Sequence, residues 1–150
     1  MIIFKGITHI LISIALYAAI TEKISINRPI LPLILIIALG SIIADIDHPK
    51  SLIGRFFIIG GLIFGGHRGV THSLIAAGLF SIPVALYDPL YAIVFFISYL
   101  IHLVADTTTI TGVKWLYPFN SKSYSLKLAR TGAEELFVFG ICLLYLWNKY

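Results

Sequence analysis

A chain of 150 residues is long enough for one domain, and residues 1–150 read as a single unit. A mean hydropathy of +0.96, with 59% hydrophobic and only 12% charged residues, excludes an ordinary soluble domain, where about 25% of residues are charged. The net charge of +4 then points to topology and anionic headgroups as partners, with no nucleic acid implied, and the single cysteine, Cys142, excludes an intrachain disulfide.

The first apolar segment, Ile2–Ile20, carries His9 near its start. It has neither a basic stretch ahead of its apolar core nor a small-residue cleavage site, so it is expected to remain in the mature chain. The second segment, Pro29–Ala44, ends abruptly in "ADIDHPKS", which holds Asp45, Asp47 and His48. The negative end of a helix dipole disfavours carboxylates, and Pro49 stops the helix. Local structure therefore does not explain these acids, whereas a bound cation would. Asp47, nearest the break, is the first choice of ligand, and Asp45 is also a candidate to relay protons or orient a ligand histidine.

The third segment, Leu52–Phe64, has 13 residues and glycines in and beside it. It is the weakest spanning candidate, and 52–66 reads as a short re-entrant or interfacial stretch. "HRGVTHS" then sets His67, Arg68 and His72 at the entrance to the fourth segment, Ser73–Tyr87. On a continuous helix a spacing of five puts two histidines about 140° apart. In a turn leading into a helix both can converge, with Thr71 or Ser73 as the cap. Pro83 predicts a kink in this helix, and "YDP" a tight turn after it.

The fifth segment, Leu90–Val104, runs into "HLVAD", where His102 and Asp106 stand one turn apart on one helix face. Imidazole and carboxylate without thiolate suit a divalent metal, zinc before manganese or iron. Thr107–Arg130 reads as a polar loop with short helices. Trp115, Tyr117 and Phe119 are interfacial aromatics or a lid over the site, and the basic stretch Asn120–Arg130 is expected to lie on anionic headgroups. Glu134 and Glu135 open the last segment, Leu136–Trp147, where the helix dipole alone accounts for them.

These polar groups share one property. If 52–66 does not cross the membrane, five spanning helices remain, and His9, Asp45, Asp47, His67, His72, His102 and Asp106 all fall on one face. That face would carry eight of the eleven basic residues, Lys5, Lys50, Arg55, Arg68, Lys114, Lys122, Lys127 and Arg130. The positive-inside rule then places it in the cytoplasm, in an all-α polytopic bundle of the inner or plasma membrane. Four histidines and three aspartates exceed one coordination sphere, so two or more ions are expected.

"GITHIL", "ADIDHPKS", "HRGVTHS" and "HLVADTTTITGVKWLYPF" together resemble the YdjM-like family of inner-membrane-associated, metal-dependent hydrolases along nearly the whole chain. That family is held to be remotely similar to the zinc-dependent phospholipase C and P1 nuclease group. The resemblance implies a phosphoester hydrolase whose ligands are His9, an aspartate of the Asp45/Asp47 pair, His67 or His72, His102 and Asp106, with Asp106 bridging metals. The soluble group has a later histidine-containing helix. This chain has no histidine after His102, and Glu134 or Glu135 stands as a remnant of that helix.

The expected function is hydrolysis of a membrane lipid phosphoester by metal-activated water. Arg68 is the phosphate clamp, since a guanidinium holds two oxygens at once. Lys50 and Arg55 are weaker clamps, and Asp45 and Glu135 join Arg68 as catalytic candidates. The alternatives are a ceramidase-like lipid amidase or ester hydrolase, a metal or proton carrier, and a membrane protein with a structural metal. A carrier needs polar groups through the bilayer, and the other face offers only Glu22, Lys23, Arg28 and Asp88, all in turns.

Overall fold

Among the described residues five α-helices form: α1 (Ile2–Thr21), α2 (Ile30–Ile42), α3 (Leu74–Tyr87), α4 (Pro89–Thr107) and α5 (Ala133–Lys149). Short 3-10 turns occupy Ile43–Asp47, Gly54–Phe56 and Val70–His72. The computed structural model describes residues 2–21, 28–49, 51, 53–56, 69–129 and 132–149. The re-entrant reading of 52–66 falls largely outside these residues, as do His67, Arg68 and Lys50. Two stretches, Ile30–Asp47 and Pro89–Thr107, are long and apolar enough to cross a membrane, while Gly6–Thr21 and Leu74–Tyr87 are apolar but shorter.

The α4 helix is central because its sequence carries one long buried stripe. Tyr91, Phe95, Ser98, Tyr99, His102 and Asp106 recur at helical spacing and all face inward. The α2 and α3 helices make their main contacts with this helix, α1 packs on α2, and α5 docks against α1. The outward faces are apolar: Leu35, Leu79, Leu86 and Ile93 are each more than half exposed. An aqueous surface rarely carries so much apolar area, whereas a lipid-facing one must.

Helix ends follow capping chemistry. Ser73, rather than Thr71, caps α3 by accepting from the Ala76 amide at 3.2 Å. Asp88 separates α3 from α4 and accepts from the Leu90 and Tyr91 amides at 2.7 and 3.3 Å. Arg28 reaches Asp88 with Nη2 at 3.0 Å, which ties the start of α2 to the α3–α4 turn at one end of the bundle. Pro83 lies within α3, which continues past it to Tyr87.

The α2 helix departs from its expected end. Regular winding stops at Ile42, and the chain tightens into a 3-10 turn through Asp47. The Ser41 hydroxyl donates to the Ile37 carbonyl at 2.7 Å, a back-bond that bends helices. Just before it, Gly40 lets α2 approach α4 closely. A Cβ there would lie 2.6 Å from the Phe95 carbonyl oxygen and 3.0 Å from Ser98 Cβ.

The 108–129 region holds no short helices among its described residues. It is an extended loop stitched by hydrogen bonds between Val113 and Tyr124, at 3.0 and 2.9 Å, and from the Leu126 amide to the Thr107 carbonyl at 2.8 Å. Gly112 sits at φ +66°, and a Cβ on it would strike Ser125 Cβ at 2.7 Å. The loop returns to the bundle through Trp115, whose Nε1 donates to Thr107 Oγ1 at 3.0 Å and whose carbonyl accepts from the Leu74 amide at 3.0 Å. Trp115 thus packs against the core, while Phe119 is 88% exposed.

Replacing Gly40 by leucine should destabilise the protein by about 1–3 kcal/mol, the usual cost of overpacking. Thermal unfolding of the full chain in detergent would check this, with Gly78→Ala, where a Cβ meets nothing within 4 Å, as the neutral comparison.

Candidate metal centre

Four elements bring polar side chains to one end of the bundle, opposite the Arg28–Asp88 pair. The α1 helix supplies His9, the Ile43–Asp47 turn Asp45 and Asp47, the Val70–His72 turn His72, and the last turns of α4 His102 and Asp106. His72 and His102 are fully buried, and Asp47, Asp106 and His9 nearly so. Since Asp45 and His72 meet here, the stretch between them begins and ends at the same end of the bundle.

Among the described residues two groups offer converging ligand atoms: His9, His102 and Asp106, and Asp45, His72 and His102. Asp106 Oδ2 lies 3.3 Å from His72 Nε2 and 3.8 Å from His102 Nε2, while its Oδ1 faces His9 Nε2 at 3.7 Å. Asp45 Oδ1 lies 3.5 Å from His72 Nε2 and 3.8 Å from His102 Nε2. The His9 and His102 rings lie against each other, with centroids 4.2 Å apart.

The outer partners fix which nitrogen faces the centre. His102 Nδ1 is 2.6 Å from the Ser41 carbonyl, which can only accept, so Nδ1 carries the proton and Nε2 presents its lone pair. His72 Nδ1 has Thr71 Oγ1 at 3.2 Å and Asp47 Oδ2 at 3.7 Å behind it. Thr71 Oγ1 in turn donates to Asp47 Oδ2 at 2.7 Å, and the Tyr99 hydroxyl donates to the Thr71 carbonyl. This carboxylate–histidine arrangement is the support that metal-binding imidazoles carry.

The set suits a cation. His72 Nε2 and His102 Nε2 approach to 3.4 Å, and two imidazole lone pairs repel at that distance unless a proton or a metal lies between the ligands. Burial opposes a charge on His72, yet hydrogen bonds with the carboxylates of Asp106, Asp45 and Asp47 outweigh it and hold its pKa well above the ordinary value. The Asp45 and Asp106 carboxylates facing these imidazoles supply negative charge that a divalent ion would neutralise. Three imidazole nitrogens with carboxylate oxygens and no thiolate fit such an ion.

Asp45 and Asp47 take different places from those expected. Asp45 faces the two converging histidines, whereas Asp47 belongs to neither ligand group and stands behind His72. The turn geometry selects Asp45: its carbonyl accepts from the His48 amide at 3.0 Å and the Ser51 hydroxyl at 2.7 Å, which pins the turn. His48 follows as the turn's extended end. Glu135 lies outside both groups, and its carboxylate accepts from Thr8 Oγ1 at 3.2 Å, which docks α5 beside His9. Arg55 is exposed in the Gly54–Phe56 turn. Sequence reading missed Ser41, Thr71 and Tyr99 as supports, since nothing in their spacing marks them.

Residues 4–149 match the family model described as YdjM inner membrane protein. The uncharacterized protein YvsG of Bacillus subtilis (strain 168) is 33% identical over 113 residues, which cover 71% of this chain and 71% of that protein. The inner membrane protein YdjM of Escherichia coli (strain K12) is 33% identical over 124 residues, 73% of this chain and 61% of that protein, and the Shigella flexneri protein of the same name matches equally. The matched part therefore spans less than two thirds of the YdjM proteins' own length. No solved structure matches.

Titrating the detergent-solubilised full chain with zinc against a chromophoric chelator should separate the two aspartates. Asp47→Asn should weaken uptake by about 10–100-fold, the usual cost of losing an outer support. Asp45→Asn and His102→Ala should cost more. Wild-type affinity should rise with pH, because imidazole ligands bind metal only when their ligating nitrogen is unprotonated.

Proposed function

The chain belongs to the YdjM inner membrane protein family, and from that premise we propose that it is a membrane-embedded, metal-dependent hydrolase of lipid phosphoesters. The observation that carries this reading is the convergence of three imidazoles and two carboxylates from four elements at one end of an apolar bundle. Ionisable groups placed there are expensive and are kept for function. In this reading five helices span the bilayer, the metal centre lies at the cytoplasmic headgroup level, and the ion is zinc, which imidazole and carboxylate ligands favour. The resemblance of the four motifs to a family held to be remotely similar to zinc-dependent phospholipase C implies the same reaction class.

His9, His72, His102, Asp45 and Asp106 would hold the zinc, which would supply a Lewis acid for a phosphoryl oxygen and lower the pKa of bound water to about 7. An imidazole nitrogen has one lone pair, so His102 serves one ion. Asp106 turns its two oxygens toward different histidines, Oδ1 to His9 and Oδ2 to His72, and would offer a ligand oxygen on either side. The Ser41 carbonyl holds His102, and Thr71 Oγ1, itself bonded to Asp47, holds His72 in the tautomer that leaves Nε2 free. Asp45 has the most exposed side chain of the three aspartates, at 16%, and would be the ligand nearest incoming water. Arg68, four residues before His72 in the sequence and outside the described residues, supplies a guanidinium for two phosphate oxygens. Glu135 holds Thr8, and so α1, beside the centre.

Elemental analysis of the purified full chain should find zinc, and His102→Ala should lose it. Chelation should abolish hydrolysis of a phospholipid headgroup. Arg68→Ala should raise KM for a phosphoester by about tenfold or more, in line with losing a charge-assisted pair. A lipid amide cleaved equally well by wild type and Arg68→Ala would instead identify an amidase. Unchanged metal content in His102→Ala would remove the centre as described.

A further inference from the structure

The 108–129 loop carries a surface that the metal centre does not use. Phe119 is 88% exposed, Leu128 67%, Leu126 62% and Ile110 55%. None of these belongs to a spanning candidate, so lipid-facing helices do not explain them. The loop's backbone is held in place: the Leu126 amide donates to the Thr107 carbonyl and the Leu128 amide to the Thr108 carbonyl, both at 2.8 Å. Its apolar side chains are therefore displayed from a fixed frame.

Charge accompanies this apolar surface. Between Asp106 and Glu134 the sequence has no acidic residue, while Lys114, Lys122, Lys127 and Arg130 all lie there. Lys122 and Lys127 are exposed, and Lys122 Nζ stands 5.4 Å from the Tyr124 ring centroid. Apolar side chains interleaved with lysines, at the edge of an apolar bundle, match the boundary between acyl chains and anionic headgroups. A protein partner of ordinary composition would not need a cation-only rim.

We infer that the 108–129 loop is an anionic-phospholipid docking surface, in which Phe119, Leu126 and Leu128 enter the headgroup–acyl boundary while Lys122 and Lys127 hold the phosphates of neighbouring lipids. The loop starts directly after Asp106 and packs through Trp115 beside the His72 turn. Seating it fixes the depth of the metal-centre end of the bundle. The inference rests on membrane embedding and not on hydrolysis, so it stands or falls separately from the enzymatic reading.

The test uses the full chain in nanodiscs of phosphatidylcholine with or without phosphatidylglycerol. An environment-sensitive fluorophore is attached at Phe119→Cys in a Cys142→Ser background. Phosphatidylglycerol should shift its emission to the blue and reduce quenching by iodide several-fold. Lys122→Glu with Lys127→Glu should abolish that response, and high salt should weaken it. The same fluorophore at Leu86→Cys, at the opposite end, should respond to neither change. Iodide access at position 119 that is equal in both lipid mixtures would overturn the inference. So would a response that survives the double charge reversal. Shielding in pure phosphatidylcholine that coincides with a dimer mass would assign the surface to a second copy of the chain and overturn it too.

Discussion

His102 Nδ1 donates to the Ser41 carbonyl at 2.6 Å, and the arrangement of the candidate metal centre depends on that bond. It fixes the histidine tautomer, so Nε2 points at the carboxylates of Asp45 and Asp106. It also requires the end of α2 to lie directly against α4, which only a residue without a Cβ at position 40 allows. Gly40, Ser41 and His102 form one chain of cause: close approach, a carbonyl placed at the interface, and an oriented imidazole. The 3-10 tightening after Ile42 completes it, because it swings Asp45 toward the same histidines.

The bundle places its charges where an apolar environment makes them expensive. A carboxylate taken out of water costs several kcal/mol unless opposite charge and hydrogen bonds offset it. Here the partners are arranged in two layers. His9, His72, His102, Asp45 and Asp106 face a common centre, and Ser41, Thr71 and Asp47 hold the rings from behind. Tyr99 anchors the outer layer through the Thr71 carbonyl, so the central helix α4 supports the centre both directly and through the Val70–His72 turn. Such doubled support gives a rigid site, which is what metal coordination and any positioned chemistry require.

The opposite end of the bundle differs. Arg28 and Asp88 make an ion pair, and Asp88 caps α4. No histidine lies at that end among the described residues. The basic loop beyond Asp106 lies at the same end as the centre, so headgroup contact and metal chemistry would share one surface.

Much of this architecture was legible along the chain. Apolar runs interrupted by "YDP" and capped by Ser73 and Asp88 mark the helices to within a few residues, since length, hydropathy and capping are local properties. His102 and Asp106 continue the buried periodicity of α4, so their shared inward face follows from spacing alone, and four motifs together announce the family. The roles of Asp45 and Asp47 did not follow, because they differ only in where a 3-10 turn aims each side chain. Ser41, Thr71, Tyr99 and Gly40 were equally silent. Their contribution is a carbonyl, a hydroxyl or an absent methyl group placed against a distant element, and only the packed helices bring those partners within hydrogen-bond range.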